Sequence, residues 1–207
     1  IPVDPSARVA LGARYRLGAC YAKLDQHDKA AAAFLAFAGA SDDAEMVPSA
    51  LYQAAVCLAR RNKFDEARKP LATLLAKYPR HELTPAAQLK LGEVLAETGN
   101  YEPSAEAYQA YLQKFPKDKF VHLAQFGLGW SLENRKQYDQ ARAWYQKVIA
   151  AHNGPTAARA QFQIGETYIA QQDFEKAAAE LLKVDIVYAY PEWSSRALLE
   201  AGTAFRQ

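Results

Sequence analysis

The 207-residue sequence lacks a dominant charge, a long apolar run, a cysteine framework and any catalytic signature, and each lack narrows what the chain can be. Its 25 basic and 23 acidic residues leave a formal charge of only +2. Phosphate recognition normally needs a basic stripe, so nucleic acid is not an expected partner. The longest apolar run, Ala30 to Ala38, is far too short to cross a bilayer, so no transmembrane segment is expected. Neither a signal peptide nor a lipid-attachment cysteine stands at Ile1, which excludes little if the chain is an excised segment. A Gly-rich phosphate loop, a His-Glu-x-x-His and a Cys-x-x-Cys are all missing, so no cofactor, metal or catalytic residue is expected. His81, His122 and His152 are spaced too far apart to suggest a local metal site, and His27 reads as a packing residue. Glu93 and Glu97, one helical turn apart, have no nucleophile or acid near them in sequence.

What the sequence does have is an internal period. Small residues fall at Gly18, Ala55, Gly92, Gly129, Gly165 and Gly202, separated by 37, 37, 37, 36 and 37 residues. A fixed period of this length marks a stacked-repeat protein. With the small residue as position eight, the repeats run 11–47, 48–84, 85–121, 122–157 and 158–194, with a partial unit at 195–207. Positions seven, eight and eleven share one helical face, so they form the buried seam of a first helix. A polar break follows, as in Arg61-Asn62 and Gly99-Asn100, and then an aromatic seventeenth position: His27, Phe64, Tyr101, Tyr138 and Phe174. The second helix carries a small twentieth position (Ala30, Ala67, Ser104, Ala141, Ala177) and a bulky twenty-fourth (Phe34, Leu71, Tyr108, Tyr145, Leu181). Prolines at 79, 116, 155 and 191 are expected to close units, and Pro70 to kink or tighten the second helix of repeat two. Cys20 and Cys57 occupy equivalent slots of successive repeats, and stacked helices stand too far apart for a disulfide, so two buried free thiols are expected.

Each unit is therefore a helical hairpin that buries its apolar faces only by stacking on its neighbours. The expected fold is all-α: a right-handed superhelical array of antiparallel hairpins, about five repeats plus one helix, in a single domain. Extending the frame backwards places Pro5 at a repeat-closing position, and Pro191 to Gln207 supplies a first helix without a second. Both features read as a segment of a longer array.

The pattern resembles the tetratricopeptide repeat family over essentially the whole chain. The resemblance is carried by the eighth, seventeenth, twentieth and twenty-fourth positions, and repeat three shows it best, with Leu91-Gly92, Gly99-Asn100-Tyr101, Tyr108 and Phe115-Pro116. The period departs from the family's usual 34 residues. The segments from Tyr78-Pro79 to Ala87 and from Phe115-Pro116 to Ala124 are similar to the bacterial envelope branch of the family. That branch includes the outer-membrane assembly lipoprotein of the Bam complex and the Tol-Pal-associated coordinators.

The resemblance implies a concave surface formed by the first helices and a partner that is a protein or peptide. The fifth position gives a ladder of Tyr15, Tyr52, Leu89, Phe126, Phe162 and Leu199, with Trp130 beside it at mid-array. These residues read either as packing groups or as anchors for a bound peptide, since aromatics dominate binding hot spots. Lys23 and Arg60 precede Glu93, Glu97, Glu133 and Glu166 along the same surface, predicting a basic-to-acidic gradient. The carboxylate capture used by chaperone-binding members is not expected, because Tyr15, Ala19, Val56, Ala86 and Lys90 stand where its polar and basic residues would be, and only Lys90 is basic. The expected function is a non-catalytic interaction scaffold in the periplasm or cell envelope, with a cytoplasmic location as the alternative. A structural or self-assembling spacer, associating through the C-terminal helix, is the second reading. An enzyme with an appended repeat segment would need its chemistry outside these residues.

Overall fold

The computed structural model describes residues 5–206, and they form eleven α-helices with no strand among them. In order these are α1 (Pro5–Lys23), α2 (His27–Ala40), α3 (Met46–Arg60), α4 (Phe64–Lys77), α5 (Thr84–Glu97), α6 (Tyr101–Lys114), α7 (Val121–Asn134), α8 (Tyr138–Ala151), α9 (Pro155–Ala170), α10 (Phe174–Lys183) and α11 (Pro191–Ala204). They fall into two compact units, divided between Asn100 and Tyr101. In the first unit each helix from α1 to α5 packs on the next, around Phe34, Phe37, Leu51, Leu58, Leu71, Leu74 and Val94. In the second unit α6 to α11 do the same, and Tyr111, Leu128, Tyr145, Val148, Phe162 and Leu181 are buried there.

The first helix of every hairpin stops at the same backbone device. Position fifteen lies in the left-handed region in all five hairpins, at Asp25, Asn62, Gly99, Lys136 and Gln172, with φ between 54° and 73°. Two hydrogen bonds accompany it each time. In repeat four, Lys136 N–H donates to the Glu133 carbonyl at 2.8 Å and Gln137 N–H to the Leu132 carbonyl at 2.9 Å. This pairing satisfies carbonyls that a helix end leaves unpartnered.

Positions eight and twenty-four meet across the hairpin. A Cβ added at Gly129 would lie 2.7 Å from the Tyr145 ring, one at Gly165 2.5 Å from Leu181 Cγ, and one at Gly18 3.0 Å from the Phe34 ring. Gly127 makes the corresponding contact between hairpins, where a Cβ would stand 2.2 Å from Tyr108. Gly202, also at position eight, has nothing within 4 Å.

Several expectations are corrected. Pro155 and Pro191 open α9 and α11 instead of closing the units before them. A first-turn proline lacks only an N–H that the helix would leave unpaired, so this is where proline fits best. Pro79 and Pro116 do follow α4 and α6. Pro70 lies inside α4 beyond its first turn, and the helix continues past it. Both cysteines are free, but Cys20 is exposed and Cys57 alone is buried. The second helix of repeat five is shortened: α10 passes into a π-helical turn, Val184–Tyr188, that ends at Ala189 with φ 50°.

Candidate functional site

The first unit presents a groove of about 460 Å³ between α3 and α5. Val56, Ala59 and Phe64 give it an apolar floor, and Arg60, Asn62, Lys90, Glu93 and Glu97 give it a polar rim. These residues fall at positions nine, twelve, thirteen, fifteen and seventeen of repeat two and at six, nine and thirteen of repeat three. Glu93 and Glu97 therefore do line a groove, one turn apart on α5. Glu93 is not a free anion, since Lys90 Nζ donates to its carboxylate at 2.7 Å. Tyr52 packs half-buried against the core beside this groove, and burial, with Glu93 nearby, pushes its phenol above the ordinary value. Tyr15 is also half-buried, edge-on to Phe34 and Phe37 at 5.3 and 5.4 Å, and Leu89 is half-buried on α5. A second cavity, of about 510 Å³, is lined by Leu11, Phe37, Asp42, Asp43 and Met46, and holds none of the predicted binding residues.

In the second unit the aromatic ladder is closed over. Phe126 and Phe162 are only 7% and 1% exposed, so they are core residues, not accessible anchors. Besides their core neighbours, each ring is covered by position two of the following repeat. The Arg159 guanidinium sits 4.4 Å from the Phe126 ring centre, and that of Arg196 sits 4.9 Å from Phe162, with Trp193 against Phe162 at 5.6 Å. Guanidinium-over-ring contacts of this kind are favourable by about 0.5–2 kcal/mol. The ladder's last member, Leu199, is by contrast 69% exposed. Trp130 is half-buried, edge-on to Tyr101 at 5.8 Å.

The two arginines also correct the expected charge gradient, because they set cations among Glu133, Glu166 and Glu200. Glu133 is held inside: Tyr145 Oη donates to it at 2.6 Å and Gln163 Nε2 at 3.1 Å. Burial raises its carboxyl above the ordinary range, against the lowering effect of those two donors. Glu166 is raised by burial and by the charges of Glu200 and Glu133, and its Oε1 is buried without a hydrogen-bond partner. Glu133 thus ties α7, α8 and α9 together and is not a free groove residue.

The sequence reading also missed a pairing. His122, in the first turn of α7, and His152, just after α8, stack with ring centres 3.9 Å apart, although their distance in sequence had argued against a shared site. The signal was available in the repeat frame, because an antiparallel hairpin returns its thirty-first position beside its first. Among the described residues, no group of three or more His, Cys, Asp or Glu side chains stands together as a metal site.

Comparison with known proteins follows this geometry. A tetratricopeptide repeat profile matches residues 52–119 and 126–191, and a second tetratricopeptide repeat profile matches residues 13–39. No curated relative matches the sequence. Among solved structures, MamA (41-end) from Desulfovibrio magneticus RS-1 is 18% identical, with a TM-score of 0.72, over 90% of this chain and 97% of that one. A Podosopora anserina protein of nearly identical TPR-like repeats is 15% identical, with a TM-score of 0.71, over 91% of this chain and 98% of that one. Yeast Tom70 is 18% identical, with a TM-score of 0.67, over 94% of this chain and 39% of that one. These likenesses establish the solenoid fold of helical hairpins.

Proposed function

We propose, from the premise that the chain belongs to the tetratricopeptide repeat family, that it is a non-catalytic scaffold holding a segment of a partner protein in the groove between α3 and α5. The observation that carries this reading is the groove's composition: an apolar floor of Val56, Ala59 and Phe64 inside a rim bearing both signs of charge. Such a surface takes an apolar side chain of the partner while the rim sets its register, in the manner of a hot spot ringed by polar contacts. Charge reversal at Glu93 and Glu97 is expected to weaken partner capture from a native extract at least tenfold, and reversal of Asp65 and Glu66 on α4 to leave it within twofold. Equal losses from both double variants would refute binding in this groove.

The setting we propose is a bacterial cell envelope, on the similarity of the links from Tyr78-Pro79 to Ala87 and from Phe115-Pro116 to Ala124 to envelope members of the family. Fractionation of the native cell tests it, and recovery in the cytosolic fraction alone would overturn it.

One observation favours a second reading, self-association through α11. Leu198, Leu199 and Phe205 are 46%, 69% and 69% exposed, a solvent-facing apolar group at the end of the second unit. Under this reading the chain sediments as a concentration-dependent oligomer, and Leu199→Glu with Phe205→Glu makes it monomeric. A wild-type chain that stays monomeric at high concentration refutes the reading.

A further inference from the structure

We propose that His122 and His152 form a two-imidazole site for a divalent late first-row transition metal ion, clasping the start of α7 to the end of α8. The juxtaposition follows from the hairpin. Helix α7 begins at Val121 and α8 ends at Ala151, and the two run antiparallel, so both imidazoles arrive at the same end of the pair. Repeat four alone has histidine at both places. The first position of the other units reads Leu11, Pro48, Pro85 and Ala158, and the thirty-first reads Ser41, Tyr78 and Phe115 where the frame is uninterrupted.

The ring geometry is within reach of chelation. Two nitrogens that bind one ion at about 2.0–2.1 Å in tetrahedral geometry stand roughly 3.3 Å apart. Their ring centres, now 3.9 Å apart and tilted by 42°, must open to roughly 5 Å for both in-plane lone pairs to meet one ion, which needs one ring to turn outward. His152 can make that turn because it is exposed and lies on extended backbone (φ −139°, ψ 150°), outside the helix. The partner atom is present too: Nδ1 of His122 is buried and has no hydrogen-bond partner. One turn along α7, Oε1 of Gln125 is also buried without a partner.

Tyr78 and Phe115 fill the same slot without a ligating nitrogen, whereas here a bound ion supplies the partner that Nδ1 of His122 lacks. Burial and the neighbouring His152 hold His122 below its ordinary value, against a backbone hydrogen bond at Lys119 that favours its protonated form. Neutral imidazole is the form that ligates metal. Softness and geometry favour Cu²⁺, Ni²⁺ and Zn²⁺ over Mg²⁺ or Ca²⁺. Water supplies the remaining positions, because among the described residues no third His, Cys, Asp or Glu joins the pair.

The test is calorimetric titration of the 207-residue chain with NiCl₂, with MgCl₂ as the control ion. One Ni²⁺ per chain is expected, weakened at least tenfold in His152→Ala and in His122→Ala, and changed less than twofold in His81→Ala. Because His152 is exposed, His152→Ala reports even if His122→Ala folds poorly. No saturable Ni²⁺ binding, full binding in His152→Ala, or an equal loss in His81→Ala would overturn the assignment. A Ni²⁺-dependent rise in the thermal midpoint of wild type that is absent in His152→Ala would support it.

Discussion

Position eight offers a test in which one substitution type has opposite signs in two repeats. At Gly129→Ala the new Cβ stands 2.7 and 2.9 Å from Tyr145 Cε1 and Cδ1. Tyr145 is fully buried, and its hydroxyl is held by Glu133 at 2.6 Å, so the ring cannot retreat without losing that bond. Overpacking of this kind costs about 1–3 kcal/mol, and disturbing a hydrogen bond to a charged group about 1.5–3 kcal/mol more. Alanine returns about 1 kcal/mol of helix propensity. The net expectation is a loss of about 1.5–5 kcal/mol. At Gly202→Ala nothing lies within 4 Å, and the same propensity term, reduced near the end of α11, gives a gain of about 0.5 kcal/mol. The assay is urea unfolding followed by tryptophan fluorescence, which reads the second unit alone because Trp130, Trp144 and Trp193 all lie in it. At a slope of roughly 1–2 kcal/mol/M the Gly129→Ala midpoint falls by about 1 M or more, and the Gly202→Ala midpoint rises by a few tenths. Shifts of the same sign in both variants would refute the packing account.

Other predictions rest on single features. Glu133 has a raised folded-state value from burial, so as pH rises through the ordinary carboxyl range the unfolded chain ionises first and stability falls, levelling off only above the folded value. Glu133→Gln removes that decline, and parallel urea midpoints from pH 4.5 to 7.5 for the two proteins would contradict it. Lys136→Gly and Gln172→Gly relieve left-handed residues and are each expected to stabilise by about 0.5–1 kcal/mol, measured by the same unfolding assay. A thiol reagent is expected to modify Cys20 in the native protein and Cys57 only on unfolding, since Cys57 is buried and its thiol is pushed up by that burial. Equal rates at the two cysteines in mass spectrometry would argue against this placement.

The features readable in the sequence were those in which one repeat constrains itself. The small eighth and bulky twenty-fourth positions recur in every hairpin and were read from composition, while the packing of Gly129 on Tyr145 and of Gly165 on Leu181 is what the structure adds. The left-handed turns were legible as breaks, but Lys136 and Gln172 carry no preference for that conformation. Their backbone is imposed by the hydrogen bonds that close each first helix. Relations between repeats were the ones that escaped. Whether Phe126 is exposed or buried depends on its neighbours across repeats, and Arg159 at position two of the next repeat lies over its ring. The groove of the first unit stays open under the same frame, because the side chains on its floor, Val56 and Ala59, are small.

The glycine contacts also bear on how such a chain can be rearranged over time. Gly18 with Phe34, Gly129 with Tyr145 and Gly165 with Leu181 each keep both halves within one hairpin. A genetic crossover in a link between hairpins moves each pair intact, so a duplicated or transplanted unit arrives with its own fit. A crossover in the turn inside a hairpin separates the halves, and can set a second helix bearing Tyr145 against a first helix bearing Ala55. Length change by whole hairpins is then the path of least damage, and Gly127 against Tyr108 marks a joint where even a whole-unit exchange must match its neighbour.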